Sequence, residues 1–215
     1  MIHLDHAAIA VDNLFEGYMD FRRQTGLEVM VGGYYTHGNG VANVLIPTND
    51  STFLEIESVI QFNAPDPSPI FSNVGPTKWV GWCLRVDTLE ELEEVAARIG
   101  GEVSSATSTY VRYNGELHPP QPSTRIPNAW ELGHPSYYLM DMEHHVGNVK
   151  LNHKRTPAGF RWFEIGGTEK QAQEMLGVHP DELNIRCNGK EWRGLWAVSV
   201  ATEDGADIEI RYDYE

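Results

Sequence analysis

Two stretches about 75 residues apart begin in the same way: HAAIAVDNL at residues 6–14 and GWCLRVDTL at residues 81–89, with Asp12 on Asp87 and Leu14 on Leu89. A repeat of that length exceeds a solenoid unit and reads as duplication of a whole module. The chain must therefore build its fold from paired units, and the order of elements inside each unit becomes the main constraint.

In the first unit, Leu4 to Val11 alternates as a strand, with His6, Ala8 and Ala10 on one face and Ala7, Ile9 and Val11 on the other. Asn13 caps a helix, Glu16 stands three residues on, and Leu14, Tyr18 and Phe21 repeat at helical spacing until Gly26. Strands follow at Glu28 to Val31, Val41 to Ile46 and Thr52 to Ser58, the last two joined by the turn PTND. The order is β-α-β-β-β. The segment NAPDPSPIFSNVGP is too rich in proline for helix or central strand and reads as a linker.

The order then restarts. WVGWCLRV is a strand, Thr88 with Glu91 forms a capping box, and Leu89, Leu92, Ala96 and Ile99 stripe a helix closed by Gly100 and Gly101. Strands are expected at Glu102 to Ser105 and Thr109 to Tyr113, a hairpin turn at Asn114-Gly115, a loop over PPQPSTRIP, and a last strand from Ser136 to Met142. A third, shorter piece repeats β-α-β-β-β: a strand Phe160 to Ile165, a helix Thr168 to Leu176, and strands near Leu183 to Cys187, Leu195 to Ala201 and Ile208 to Tyr212. The expected division is 1–150 for paired modules (1–62 and 78–150) and 151–215 for an additional smaller module.

Bulk properties exclude several classes. A formal net charge of -15 opposes binding to a phosphate backbone, so no nucleic-acid partner is expected. No apolar stretch approaches membrane-spanning length and the N-terminus has no charged-then-apolar leader, so a cytoplasmic protein without membrane contact is expected. Cys83 and Cys187 lie far apart and make neither a CxxC pair nor a disulfide framework. There is no GxSxG, HExxH or phosphate loop.

Two residues stand out chemically. His6 sits among alanines on its strand face, either as a ligand or as a hydrogen-bonded core histidine. Glu55, in STFLEIESV, shares a face with Phe53 and Glu57 and is costly to bury unless paired or bound to a metal; Glu57, nearer the strand end, is expected to be solvated. Imidazole and carboxylate together suit Zn, Ni, Fe or Mn. Trp79, Trp82, Tyr110, Tyr137 and Tyr138 either line a ligand cup or belong to the core.

The doubled β-α-β-β-β order, the opening LDHAAIAVDNL and the later TFLEIES resemble the vicinal oxygen chelate superfamily, the glyoxalase and extradiol dioxygenase group. VGGYYTHGNGVANVLIPTNDSTFLEIESV looks closest to its glyoxalase-like branch. The resemblance covers about residues 1–145 and implies an α+β fold whose βαβββ modules form a curved mixed-sheet cup with helices outside. It implies a divalent metal held by His6 and Glu55, whereas the second-module ligand places fall on Gly81 and about Met140, which cannot ligate. Replacement donors are His37 in THGNG, His134, Asp141, Glu143, His144 and His145, with Asp141 of the wrong parity to share a face with Met140.

The implied activity is metal-dependent isomerase, lyase or dioxygenase chemistry on a small oxygen-bearing metabolite, with Glu55 and His37 as catalytic groups. The alternative is a metal-free protein that binds or sequesters a small molecule, as in the superfamily's antibiotic-resistance branch. A small-molecule ligand is the expected partner under both, and a homodimer is compatible with either.

Overall fold

The fold is taken from a computed structural model, which describes residues 1–35, 40–65, 71, 75–105, 110–117, 122–125, 132–139 and 151–212. Strand β1 (Ile2–Ala10) leads into helix α1 (Leu14–Thr25), then β2 (Met30–Tyr35), β3 (Val41–Pro47) and β4 (Phe53–Val59). The second module gives β5 (Lys78–Val86), α2 (Leu89–Ile99), β6 (Glu102–Ser105), β7 (Tyr110–Arg112), β8 (Pro122–Arg125) and β9 (Ser136–Tyr138). The third gives β10 (Pro157–Ile165), α3 (Glu169–Leu176), a 3-10 turn (Pro180–Leu183), β11 (Ile185–Cys187), β12 (Leu195–Thr202) and β13 (Ile208–Arg211).

Among the described residues, nine strands form one open mixed sheet in the order β6-β8-β9-β5-β1-β4-β3-β2-β7. Each half is wired alike: β1 pairs parallel with β4, and β5 parallel with β9. The halves join through the antiparallel β1–β5 pair, which sets His6 opposite Cys83 and Ala8 opposite Gly81. The fold is the expected α+β arrangement of a curved sheet with helices outside.

Three readings of the second module change. Pro122–Arg125, expected as loop, is strand β8; its proline stands first in the strand, where a missing N–H is tolerated. β7 does not extend its own module but pairs with β2 of the first, Tyr34 opposite Val111, and so lengthens the far edge of the sheet. Glu91 does not close a capping box on Thr88; Thr88 accepts from the Glu91 N–H while the Glu91 carboxylate accepts from the N–H of Asp87.

The helix ends follow the sequence closely. Asn13 accepts from the N–H groups of Phe15 and Glu16, satisfying donors that the first turn leaves open. Gly26, Gly100 and Gly177 end their helices at φ of 74°, 71° and 75°, a left-handed conformation costly for any residue with a Cβ.

The main core lies under one sheet face. Ala7 and Ile9 of β1, Val11 just beyond it, Leu54 and Ile56 of β4, and Trp82 and Leu84 of β5 pack there with Phe21 of α1 and with Leu92 and Val95 of α2. The third module closes onto the same face: Trp82 meets Phe163 edge-on at 6.4 Å, and the Trp79 indole donates to the Trp196 carbonyl at 3.1 Å. Arg98 of α2 caps the end of α3, donating to the carbonyls of Met175 and Leu176. Trp79, Trp82 and Tyr137 therefore belong to the core rather than to a cup. Although its element order matches the other modules, the third sheet runs β11-β10-β12-β13, so its first strand is interior and pairs with the strand after the helix.

Candidate functional site

The opposite, concave face carries the polar residues. Ala8 and Ala10 of β1 pack there with Val41, Phe71 and Val80, as the alternation in LDHAAIAVDNL requires. In β4, Phe53 lies beside His6, Glu55 beside Ala8 and Glu57 beside Ala10, so His6 and Glu55 share this face on adjacent parallel strands.

A bulge adds a residue that simple alternation hides. β1 advances from Leu4 to His6 while β5 steps only from Leu84 to Cys83, leaving Asp5 as the extra residue. The bulge brings consecutive side chains together: Asp5 Oδ1 lies 2.5 Å from His6 Nδ1. The imidazole stacks on Phe53 at 4.5 Å, faces Tyr138 at 5.7 Å, and shares a hydrogen bond with Cys83 across the strand pair. Burial works against a charged imidazole, yet Cys83 and Asp5 hold its pKa well above the ordinary value.

Glu57, expected to be solvated, is 1% exposed, and Glu55 is 3% exposed. β4 is flanked by β1 and β3 along its length, so its end is not a sheet edge. The Tyr35 hydroxyl donates to Glu57 Oε1 at 3.1 Å, and Glu57 shares a further hydrogen bond with Glu55. Burial first, and then the neighbouring Glu55, push the Glu57 carboxyl well above the usual carboxylate range. Burial likewise pushes up the Cys83 thiol and the Tyr138 hydroxyl.

Strand register corrects one assignment. Ala8 lies beside Glu55 in β1–β4, and Cys83, the counterpart of Ala8, lies beside Ser136 in β5–β9. The second-module place matching Glu55 is therefore Ser136, not Met140. By the same register, Tyr138 takes the place of Glu57. Gly81 remains the counterpart of His6. His37, Met140, Asp141, Glu143, His144 and His145 lie outside the described residues. His134 is half-buried against Trp192, at a ring distance of 6.1 Å, and burial lowers its pKa.

Sequence reasoning missed Asp5, Tyr35 and Cys83. Asp5 did leave a signal: it is a carboxylate at the parity of Ala7 and Ile9, a face otherwise apolar. Cys83 and Tyr35 reach the site through strand pairing, which no local pattern encodes.

Among the described residues, the divalent ion implied by the sequence does not find a full set of donors. Among the described residues no group of three or more His, Cys, Asp or Glu side chains is placed to hold a metal. Gly81 has no side-chain donor to offer, which leaves His6 and Glu55 as the two described candidates from the strand places the sequence implied. What the face does offer is acid–base chemistry: an imidazole held by a carboxylate, beside two carboxyls that share a hydrogen bond.

A family model described as a glyoxalase-like domain matches residues 4–179. No curated protein matches the chain. Among solved structures, a hypothetical protein from Staphylococcus aureus aligns over 97% of this chain and 98% of its own, at 11% identity and a TM-score of 0.57. Methylmalonyl-CoA epimerase from Mycobacterium tuberculosis aligns over 63% of this chain and 86% of its own, at 14% identity and a TM-score of 0.44. The Streptomyces coelicolor methylmalonyl-CoA epimerase in complex with 2-nitronate-propionyl-CoA aligns over 63% and 95%, at 14% identity and a TM-score of 0.45. The first of these extends the likeness of fold across the third module.

Proposed function

We propose, from the premise that this chain belongs to the glyoxalase-like domain family of the vicinal oxygen chelate superfamily, that it is an enzyme of isomerase or lyase type acting on a small oxygen-bearing metabolite. The observation that carries the reading is the burial on one concave face of Asp5, His6, Glu55 and Glu57, among which the His6 imidazole and the Glu57 carboxyl both hold their protons well above the ordinary range. One carboxyl of the Glu55–Glu57 pair takes a proton from the carbon next to a carbonyl. The His6 imidazolium, oriented by Asp5, donates a hydrogen bond to the oxygen on which negative charge develops. No step is routed through a metal.

The test is proton exchange in deuterium oxide. The protein is incubated with a panel of small 2-oxo and 2-hydroxy compounds, each with and without an amino group, and C–H loss is followed by NMR. Catalysed exchange by the wild type, abolished in Glu55→Gln and His6→Gln, is the expected result. No exchange with any compound, alongside ligand binding that is indifferent to both variants, would instead favour a binding or sequestering protein. One observation supports that second reading: Gly81 and Ser136 leave the second module without either ligand-type side chain.

A further inference from the structure

On the helix side of the sheet, away from the concave face, a cavity of about 510 Å3 lies between the C-terminal end of α1 and the segment that leads into β10. Four of its nine lining residues are cationic, Arg22, Arg23, Lys154 and Arg155, against one carboxylate, Glu28. The chain as a whole has the opposite balance, 16 Lys and Arg to 31 Asp and Glu. Backbone contacts hold the two segments together: the Lys154 N–H donates to the Gly26 carbonyl at 2.9 Å, and the Glu28 N–H donates to His153 Nδ1 at 3.0 Å. The end of α1 carries only about half a negative charge, which two arginines in its last turn already answer. Lys154 and Arg155 arrive from a distant part of the chain and exceed that need.

The cations are fixed in place with donors to spare. Arg22 Nη2 is held by Glu28 at 2.6 Å, and Arg23 Nη2 by Asp20 at 2.5 Å. Arg155 Nη2 donates to the Ala206 carbonyl at 2.6 Å and lies 3.4 Å from Asp204. In all three the ion pair is made at one corner of the guanidinium. Of the rest, Arg22 Nη1 meets only the Met19 sulfur, a weak acceptor, at 3.5 Å, and Arg22 Nε is buried without a hydrogen-bond partner. Among the described residues, no carboxylate lies within ion-pair distance of the Lys154 ammonium.

We propose that this cavity binds a phosphate group, free or esterified to a small molecule, through the remaining guanidinium donors of Arg22, Arg23 and Arg155 and the Lys154 ammonium. A phosphate brings up to two negative charges and three strong acceptor oxygens, and guanidinium edges match its geometry. The volume is in the range of small-molecule sites and exceeds what a bare phosphate fills. The site is separate from the acid–base residues, so it stands or falls independently of the reading above.

The probes are inorganic phosphate, phenyl phosphate and acetate, titrated into the full chain at pH 8 and about 0.15 M salt, where general surface attraction is largely screened. Calorimetry gives affinity, and amide NMR shifts give location. At least one phosphate probe should bind about tenfold more tightly than acetate, with shifts centred on residues 19–28 and 153–155. Tighter binding of phenyl phosphate identifies an esterified ligand; tighter binding of inorganic phosphate identifies the free ion. Lys154→Glu removes no side-chain bond of the fold and should weaken that binding about tenfold, whereas Lys170→Glu, at an exposed position of α3, should leave it unchanged. No binding of either phosphate, acetate bound as tightly, shifts elsewhere, no effect of Lys154→Glu, or an equal effect of Lys170→Glu would each overturn the proposal. The wild-type comparison of probes stands even where a variant fails to fold.

Discussion

Asp5 and His6 are neighbours in β1, where alternation would send their side chains to opposite faces, yet Asp5 Oδ1 and His6 Nδ1 lie 2.5 Å apart. The bulge at Asp5 has a partner. β5 steps from Gly81 to Trp79 while β1 steps only from Ala8 to Ile9, which leaves Val80 as the extra residue. Val80 stands to Gly81 as Asp5 stands to His6, so both modules carry the bulge while only the first has polar side chains there.

Replacing Asp5 with asparagine removes a carboxylate that raises the His6 pKa and leaves the ring position largely intact. The His6 pKa, followed by NMR of the ring, should fall in Asp5→Asn, shifting loss of the imidazolium to lower pH. An unchanged titration would show that Cys83 alone sets the charge of the ring.

Protein purified without chelator should contain well under one equivalent of zinc, nickel, iron or manganese by elemental analysis, because among the described residues no three His, Cys, Asp or Glu side chains converge. Stoichiometric metal that is lost in His6→Ala and Glu55→Ala would reinstate the metal site read from the sequence.

Gly17 lies against β1, and a Cβ built there would sit 2.7 Å from the Val11 side chain. Gly17→Ala gains helix propensity of about 1 kcal/mol but overpacks a core contact at about 1–3 kcal/mol. The expected net effect is a lower midpoint in urea unfolding. A higher midpoint would show that α1 can shift away from the strand at little cost.

Arg211 grips Glu164 through two bonds, 2.8 Å and 3.0 Å, across the third sheet. The guanidinium holds the Glu164 carboxyl below its usual range. A depressed carboxylate pKa stabilises the fold above the unfolded value, about 4.3, and that contribution disappears as pH falls through the lowered folded value. The pair is partly exposed, so Arg211→Gln should cost about 1 kcal/mol or less at neutral pH. The gap between wild type and variant should close in acid; a gap that persists at pH 2 would assign the loss to packing of the arginine stem.

What the sequence determined is local and periodic. Alternation in LDHAAIAVDNL and TFLEIES placed His6 and Glu55 on one face, and Asn13, Thr168 and Gly26 marked helix ends, because capping and side-chain parity depend only on near neighbours. The offset between modules also carried the paired wiring of β1–β4 and β5–β9. Pairing between distant strands was decided by tertiary structure. It buried Glu57 by covering both sides of β4, brought Cys83 to His6, moved β7 to the other module, and set Ser136 rather than Met140 in the place of Glu55. A strand's own residues specify which side faces inward but not which strand lies beside it, and a one-residue bulge is enough to turn Asp5 into the partner of its own neighbour.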